Sequence, residues 1–184
     1  MKLEKLLAEK KAVIVKKWFH ALADTYHPQM SKFLKGKASR FANPVGSTFS
    51  AELERLFDYF LVEAEPEAVH TCLDRIIRIR ALQDFSPSQA VHFIFQLKTL
   101  IREELGEAVE REQMHEDLFL IESRVDWLAL AAFDIYMARR EKIYELKEKE
   151  LRSSRFLLTE GSQPGTKGHE RHPVDIEDEP ESQS

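Results

Sequence analysis

The 184-residue chain holds a single cysteine, Cys72, so no disulfide can form within it. That scarcity points to a reducing compartment rather than to a secreted scaffold. Glycine is also sparse: of six, Gly161, Gly165 and Gly168 fall after residue 160. The remaining Gly36, Gly46 and Gly106 are too scattered to cradle a phosphate, which excludes the commonest nucleotide-binding folds. Long apolar runs are missing too, the longest (127–133) being far short of a membrane span. The N-terminus MKLEKLLAEKKAVIVKKW has lysines every few residues and lacks the apolar stretch of a signal peptide. No segment alternates with period two, so no sheet is expected. No G-x-S-x-G occurs, and Cys72 lies on an apolar stripe as a small hydrophobe. Nothing in the chain argues for an enzyme.

What is present is hydrophobic and charged in helical measure: 43% hydrophobic, with 12 Phe and 2 Trp, and 32% charged. The net charge of −5 belongs to the C-terminal end. Seven acids from Glu160 onward face only Lys167 and Arg171, so residues 1–159 are formally neutral. A neutral domain with interspersed signs carries no footprint for nucleic acid. The expected setting is cytoplasmic, with no membrane contact.

Five helical stretches follow from spacing and caps. The first covers about residues 2–26, where Leu3, Leu7, Ile14, Trp18 and Leu22 share a face. His27-Pro28 ends it, and a loop with Gly36 follows. Asn43 as N-cap and Pro44 at N1 open the second, which carries Phe49, Leu53, Leu56, Phe57 and Phe60. A third runs from Pro66 to Leu82. The fourth has Ser86 as N-cap, Pro87 at N1 and Gln89 at N3, a capping box, and Gly106 is expected to stop it. The fifth covers about Asp117–Arg152, roughly 35 residues or about 50 Å. Leu118, Ile121, Val125, Leu128, Ala132 and Ile135 follow a heptad there, and Ile143 lies beyond a register slip. These positions are the expected dimer and signalling stripe, with a mixed role: core in the first half of the helix, intersubunit or projecting in the second. The domain reading is a helical domain over 1–152 and a disordered acidic tail over 153–184, Gly-, Pro- and Ser-rich from Gly161.

Ligating residues are few. His20, Asp24 and His27 stand at i, i+4 and i+7, a spacing able to hold a metal, but no fourth ligand is in view. His169 and His172 form an H-x-x-H in the tail. A haem reading would need His70 or His92 as the axial ligand. The expectation is no cofactor and no resident metal. A haem- or metal-binding gas or redox sensor is the rival, and an adaptor acting through the tail is the third reading.

Several marks then converge: Trp18, Arg40-Phe41-Ala42-Asn43-Pro44-Val45-Gly46, and Asp84-Phe85-Ser86-Pro87-Ser88-Gln89-Ala90 followed by Lys98. A last run goes from Arg124 through Asp126-Trp127 to Asp134, then Tyr136 and Arg140-Glu141-Lys142. Over about residues 3–150 this pattern resembles the N-terminal sensor domain of RsbT co-antagonist (RsbR-type) proteins of bacterial stress signalling. The resemblance implies an all-α, globin-like helical bundle, commonly without haem, that dimerises through its helices and passes a signal along the last one. In such proteins a STAS, kinase or other output domain usually follows. Here the acidic tail stands in its place, so the expectation is a stand-alone homodimeric sensor whose output comes from a protein partner. Its input would be a partner or a small apolar ligand.

Overall fold

The computed structural model describes residues 2–36, 41–62, 64–83 and 85–160, with backbone alone for 155–160. Arg40 and Asp84, both in the motifs above, lie outside the described residues, as does the chain from Gly161, including His169 and His172. All described elements are helices: α1 Lys2–Ala23, α2 Pro28–Lys35, α3 Pro44–Val62, α4 Pro66–Ala81, α5 Pro87–Glu112 and α6 His115–Glu160. No strand occurs among the described residues. The chain divides into one compact unit over 1–146 and a second over 147–184.

In the first unit α1 packs against α2, α3 and α5. Its stripe Leu3, Leu7, Ile14, Trp18 and Leu22 is fully buried, as its spacing predicts. Trp18 fixes the contact with α5, because its indole N–H donates to the Phe93 carbonyl at 2.7 Å. Its ring lies 6.2 Å from that of Phe93. The buried indole thus has the hydrogen bond it needs.

Several boundaries differ from the sequence expectation. The expected loop before Gly36 contains α2. α1 has already ended at Ala23, short of the expected stop at His27-Pro28, and Pro28 instead opens a new helix after the N-cap His27, with Ser31 and Leu34 turned inward. Gly106 does not stop α5, which runs on to Glu112 because Leu105 and Val109 keep its buried stripe going. The stop is Gln113, in the left-handed region at φ 51°. α6 continues eight residues beyond Arg152. No glycine or proline interrupts the sequence until Gly161.

The two clearest caps form as expected. The Gly46 amide donates to Asn43 Oδ1 at 2.9 Å, while Asn43 Nδ2 donates to the Phe33 and Leu34 carbonyls at 3.0 and 2.9 Å. One side chain therefore closes α2 and opens α3. At α5 the Ser86 and Gln89 side chains each accept the other's amide, at 3.3 and 2.9 Å.

Candidate functional site

The functional surface expected from the heptad lies on α6, and within the first unit this helix has two apolar faces. Ile121, Val125, Leu128, Ala132 and Ile135 are buried in the core, with Leu118 and Ile143 half-buried against it. As far as Ile135 the expected stripe is thus packed inside one protomer. A second series is exposed: Leu120, Trp127, Leu130, Met137 and Tyr144. Leu130, Met137 and Tyr144 repeat at seven-residue steps, as do Leu120 and Trp127, so the side chains recur along one line of the helix. Phe119 and Phe133 flank that line and are exposed as well. Two interleaved sevenfold steps were the available sequence signal, hidden by the cleaner stripe beside them.

Polar contacts clamp α6 along the seams between these faces. Arg124 donates to Glu4 on α1 at 3.0 Å, and the Lys98 ammonium lies 2.6 Å from Asp126. Arg102 meets Glu122, and Arg139 meets Asp74, each through two hydrogen bonds. The Tyr136 hydroxyl donates to the Phe85 carbonyl at 2.5 Å, and Arg140 donates to the Ala81 carbonyl at 3.3 Å while lying over Tyr144. The last motif of the resemblance therefore supplies contacts that set the helix on the bundle. Exposed ion pairs of this kind add little energy each but fix register.

A cleft of about 280 Å³ opens between the end of α3, the start of α4 and α6. Tyr59, Phe60, Pro66, Val69, Trp127 and Leu128 line it. Trp127, on the exposed face of α6, forms part of its wall.

The candidate trio His20, Asp24 and His27 is not assembled into a group. Asp24 accepts from Ser31 at 2.8 Å and pairs with Lys35, contacts that hold its carboxyl below the usual range, while His20 and His27 are exposed. Among the described residues no three His, Cys, Asp or Glu side chains are grouped to hold a metal ion. His70 is exposed on α4, and its neighbour Asp74 belongs to Arg139. His92 is exposed on α5 and lines the edge of a cleft with Thr25 and Phe85. The two haem candidates stand on different helices, each exposed.

Cys72 is buried, and its thiol lies 3.3 Å from Glu52 Oε2. Burial first, and the adjacent carboxylate second, push the thiol up to about 12. It stays protonated at neutral pH, which suits a packing residue and not a nucleophile. Glu52 itself is held by Arg55 and Arg75 at 3.1 and 2.9 Å, a structural network that closes α3 on α4.

Residues 12–151 match the family described as RsbT co-antagonist protein rsbRD N-terminal domain. No curated protein and no solved structure matches the chain. Among the described residues no helix is long and apolar enough to cross a membrane.

Proposed function

The chain belongs to the RsbT co-antagonist N-terminal domain family, whose members are regulatory signalling modules, and from that membership we propose a homodimeric sensor without catalytic activity. In this reading it is a non-haem, globin-like cytoplasmic module. Two copies associate through the exposed face of α6. The input is a partner or a small ligand, for which the apolar cleft beside Trp127 is the natural recess. The signal leaves along α6 to a protein partner that supplies the output.

The observation that carries this reading is the line Leu120, Trp127, Leu130, Met137 and Tyr144, large apolar side chains left in water at coiled-coil spacing. Contiguous apolar surface of that kind marks an interaction site more often than chance. The test is native mass spectrometry of the full chain against Leu130→Asp/Met137→Asp. The parent is expected at twice the chain mass and the variant at the chain mass with unchanged helicity. A parent that is monomeric at micromolar concentration sinks the dimer.

A further inference from the structure

Arg80 stands in the last turn of α4, in register with Leu73, Ile76 and Ile77, so the helix turns its side chain into the core, where it is 0% exposed. Its guanidinium is well placed among neutral groups. Nε donates to the Ala90 carbonyl at 2.8 Å, Nη2 to the Gln89 carbonyl at 2.9 Å and Nη1 to Thr25 Oγ1 at 3.0 Å. The rings of Phe85, Tyr26 and Phe93 surround it at 4.3, 5.2 and 5.5 Å. Among the described residues no carboxylate meets it. Asp84, next to Phe85 in sequence, lies outside them.

Hydrogen bonds and ring faces satisfy the geometry of a guanidinium but do not neutralise its charge. A buried cation without a counter-charge is costly to a fold. The first turn of α5 beside it adds partial positive charge of its own. The surroundings are thus electropositive, and although Arg80 itself is 0% exposed, the groups that cage it border open space. A cleft of about 320 Å³ adjoins them, lined by Thr25, Phe85, Ser88, Gln89 and His92. Three of these, Thr25, Phe85 and Gln89, are also Arg80's immediate partners.

The donors facing the cleft can be sorted by what they already do. The Thr25 hydroxyl is committed, donating to the Leu22 carbonyl at 2.7 Å and accepting from Arg80. Gln89 Oε1 accepts the Ser86 amide, which leaves the Gln89 NH₂ group as the donor end. Ser88 and His92 are exposed and bring a hydroxyl and an imidazole to the same rim; the Ser88 hydroxyl lies 3.2 Å from that of Ser86 and, by accepting from it, keeps its own proton for an anion.

We propose that this cleft binds a small oxyanion, a carboxylate or a phosphate, held by Ser88, Gln89 and His92 against the buried charge of Arg80. The anion supplies a counter-charge that no described residue gives Arg80. Its occupancy also has a path to the signalling helix. Phe85 forms one wall of the cleft, and its carbonyl is the acceptor for Tyr136 of α6. That path rests on the sensor reading above, whereas the binding itself does not.

The test is a titration of the full chain at low ionic strength with inorganic phosphate and, separately, with acetate, followed by NMR of the His92 ring protons. The expected result is a saturable shift with at least one of the two, and which one responds names the anion. Sodium chloride at matched ionic strength is expected to give none. Ser88→Ala, a surface change, is expected to weaken binding about tenfold, the loss of one charge-assisted hydrogen bond. Arg80→Gln is expected to abolish it, and if that variant does not fold, Ser88→Ala decides alone. The proposal is overturned by the absence of saturable binding of either anion, by chloride reproducing the shift, or by Ser88→Ala or a folded Arg80→Gln binding as tightly as the parent. It is also overturned if only Asp84→Asn binds, since Asp84 is then the internal counter-ion. Each of these failures leaves the dimer mass untouched, so it is distinguishable from failure of the sensor reading.

Discussion

Along α6 between Leu118 and Tyr144 two apolar faces run side by side, and they differ in what covers them. One, through Ile121, Val125, Leu128, Ala132 and Ile135, is at most 4% exposed. The other, through Leu120, Trp127, Leu130, Met137 and Tyr144, is 45–66% exposed. The buried face has the cleaner heptad and the smaller side chains, among them Ala132 and the β-branched Ile121, Val125 and Ile135. Bulky Trp127, Met137 and Tyr144 stand out on the other side. A regular stripe in a sequence reveals that a face will be covered, and nothing in its period says whether the cover is the same chain.

The contrast breaks most directly by placing one charge on each face. Leu128→Asp puts a carboxylate into the core and is expected to cost about 4 kcal/mol or more, a large share of the stability of a typical domain. From the heptad alone this change would merely separate a dimer. Leu130→Asp, two residues away, is expected to shift the stability of the single folded chain by no more than about 0.5 kcal/mol, measured at a dilution where the proposed dimer is dissociated. Urea denaturation of the two variants measures both. Equal losses would falsify the assignment of the faces.

Gly46 shows the same dependence on surroundings. A Cβ there would come within 2.5 Å of Asn43 Nδ2 and 2.7 Å of the Leu34 carbonyl. Gly46→Ala is therefore expected to cost about 1–3 kcal/mol by overpacking and disturbance of the cap. A midpoint in urea unchanged from the parent would show that α2 gives way freely. The cap itself was legible, because Asn43-Pro44 and the Ser86–Gln89 box involve chemistry within four residues. The need for glycine was not, since one of the three obstructing atoms, the Leu34 carbonyl oxygen, comes from α2, where a loop was expected. Arg80 was hidden for a related reason. Its register with Ile76 and Ile77 marks it as inward-facing, but an arginine is normally read as solvent-exposed. Only the fold reveals the aromatic cage that accepts it.

Between the two faces of α6 lies the seam, and Tyr136 is its most buried member, 2% exposed. Tyr136→Phe removes the hydrogen bond to the Phe85 carbonyl while keeping the ring. The expected loss is about 1 kcal/mol, with that carbonyl left to find water or another donor. If the seam rather than the core face governs how α6 reports on the bundle, amide exchange in 130–144 is expected to rise more than global stability falls. A uniform rise across the whole domain would assign the effect to packing alone.

Gly106 is the smallest test and has the opposite sign. It sits inside α5, and a Cβ built on it meets nothing within 4 Å. Its helical neighbours bury Leu105 and Val109, while the actual stop is at Gln113. With no close approach and no left-handed backbone to serve, the glycine only adds freedom to the unfolded chain. Gly106→Ala is thus expected to stabilise by about 0.5–1 kcal/mol, read as a higher urea midpoint at constant slope. Set beside Gly46→Ala, the same substitution in another helix of the domain moves stability in opposite directions. If Gly106→Ala destabilises instead, the open side of α5 at that position is covered by something absent from a single chain. The second copy proposed for α6 would then have to reach α5 as well.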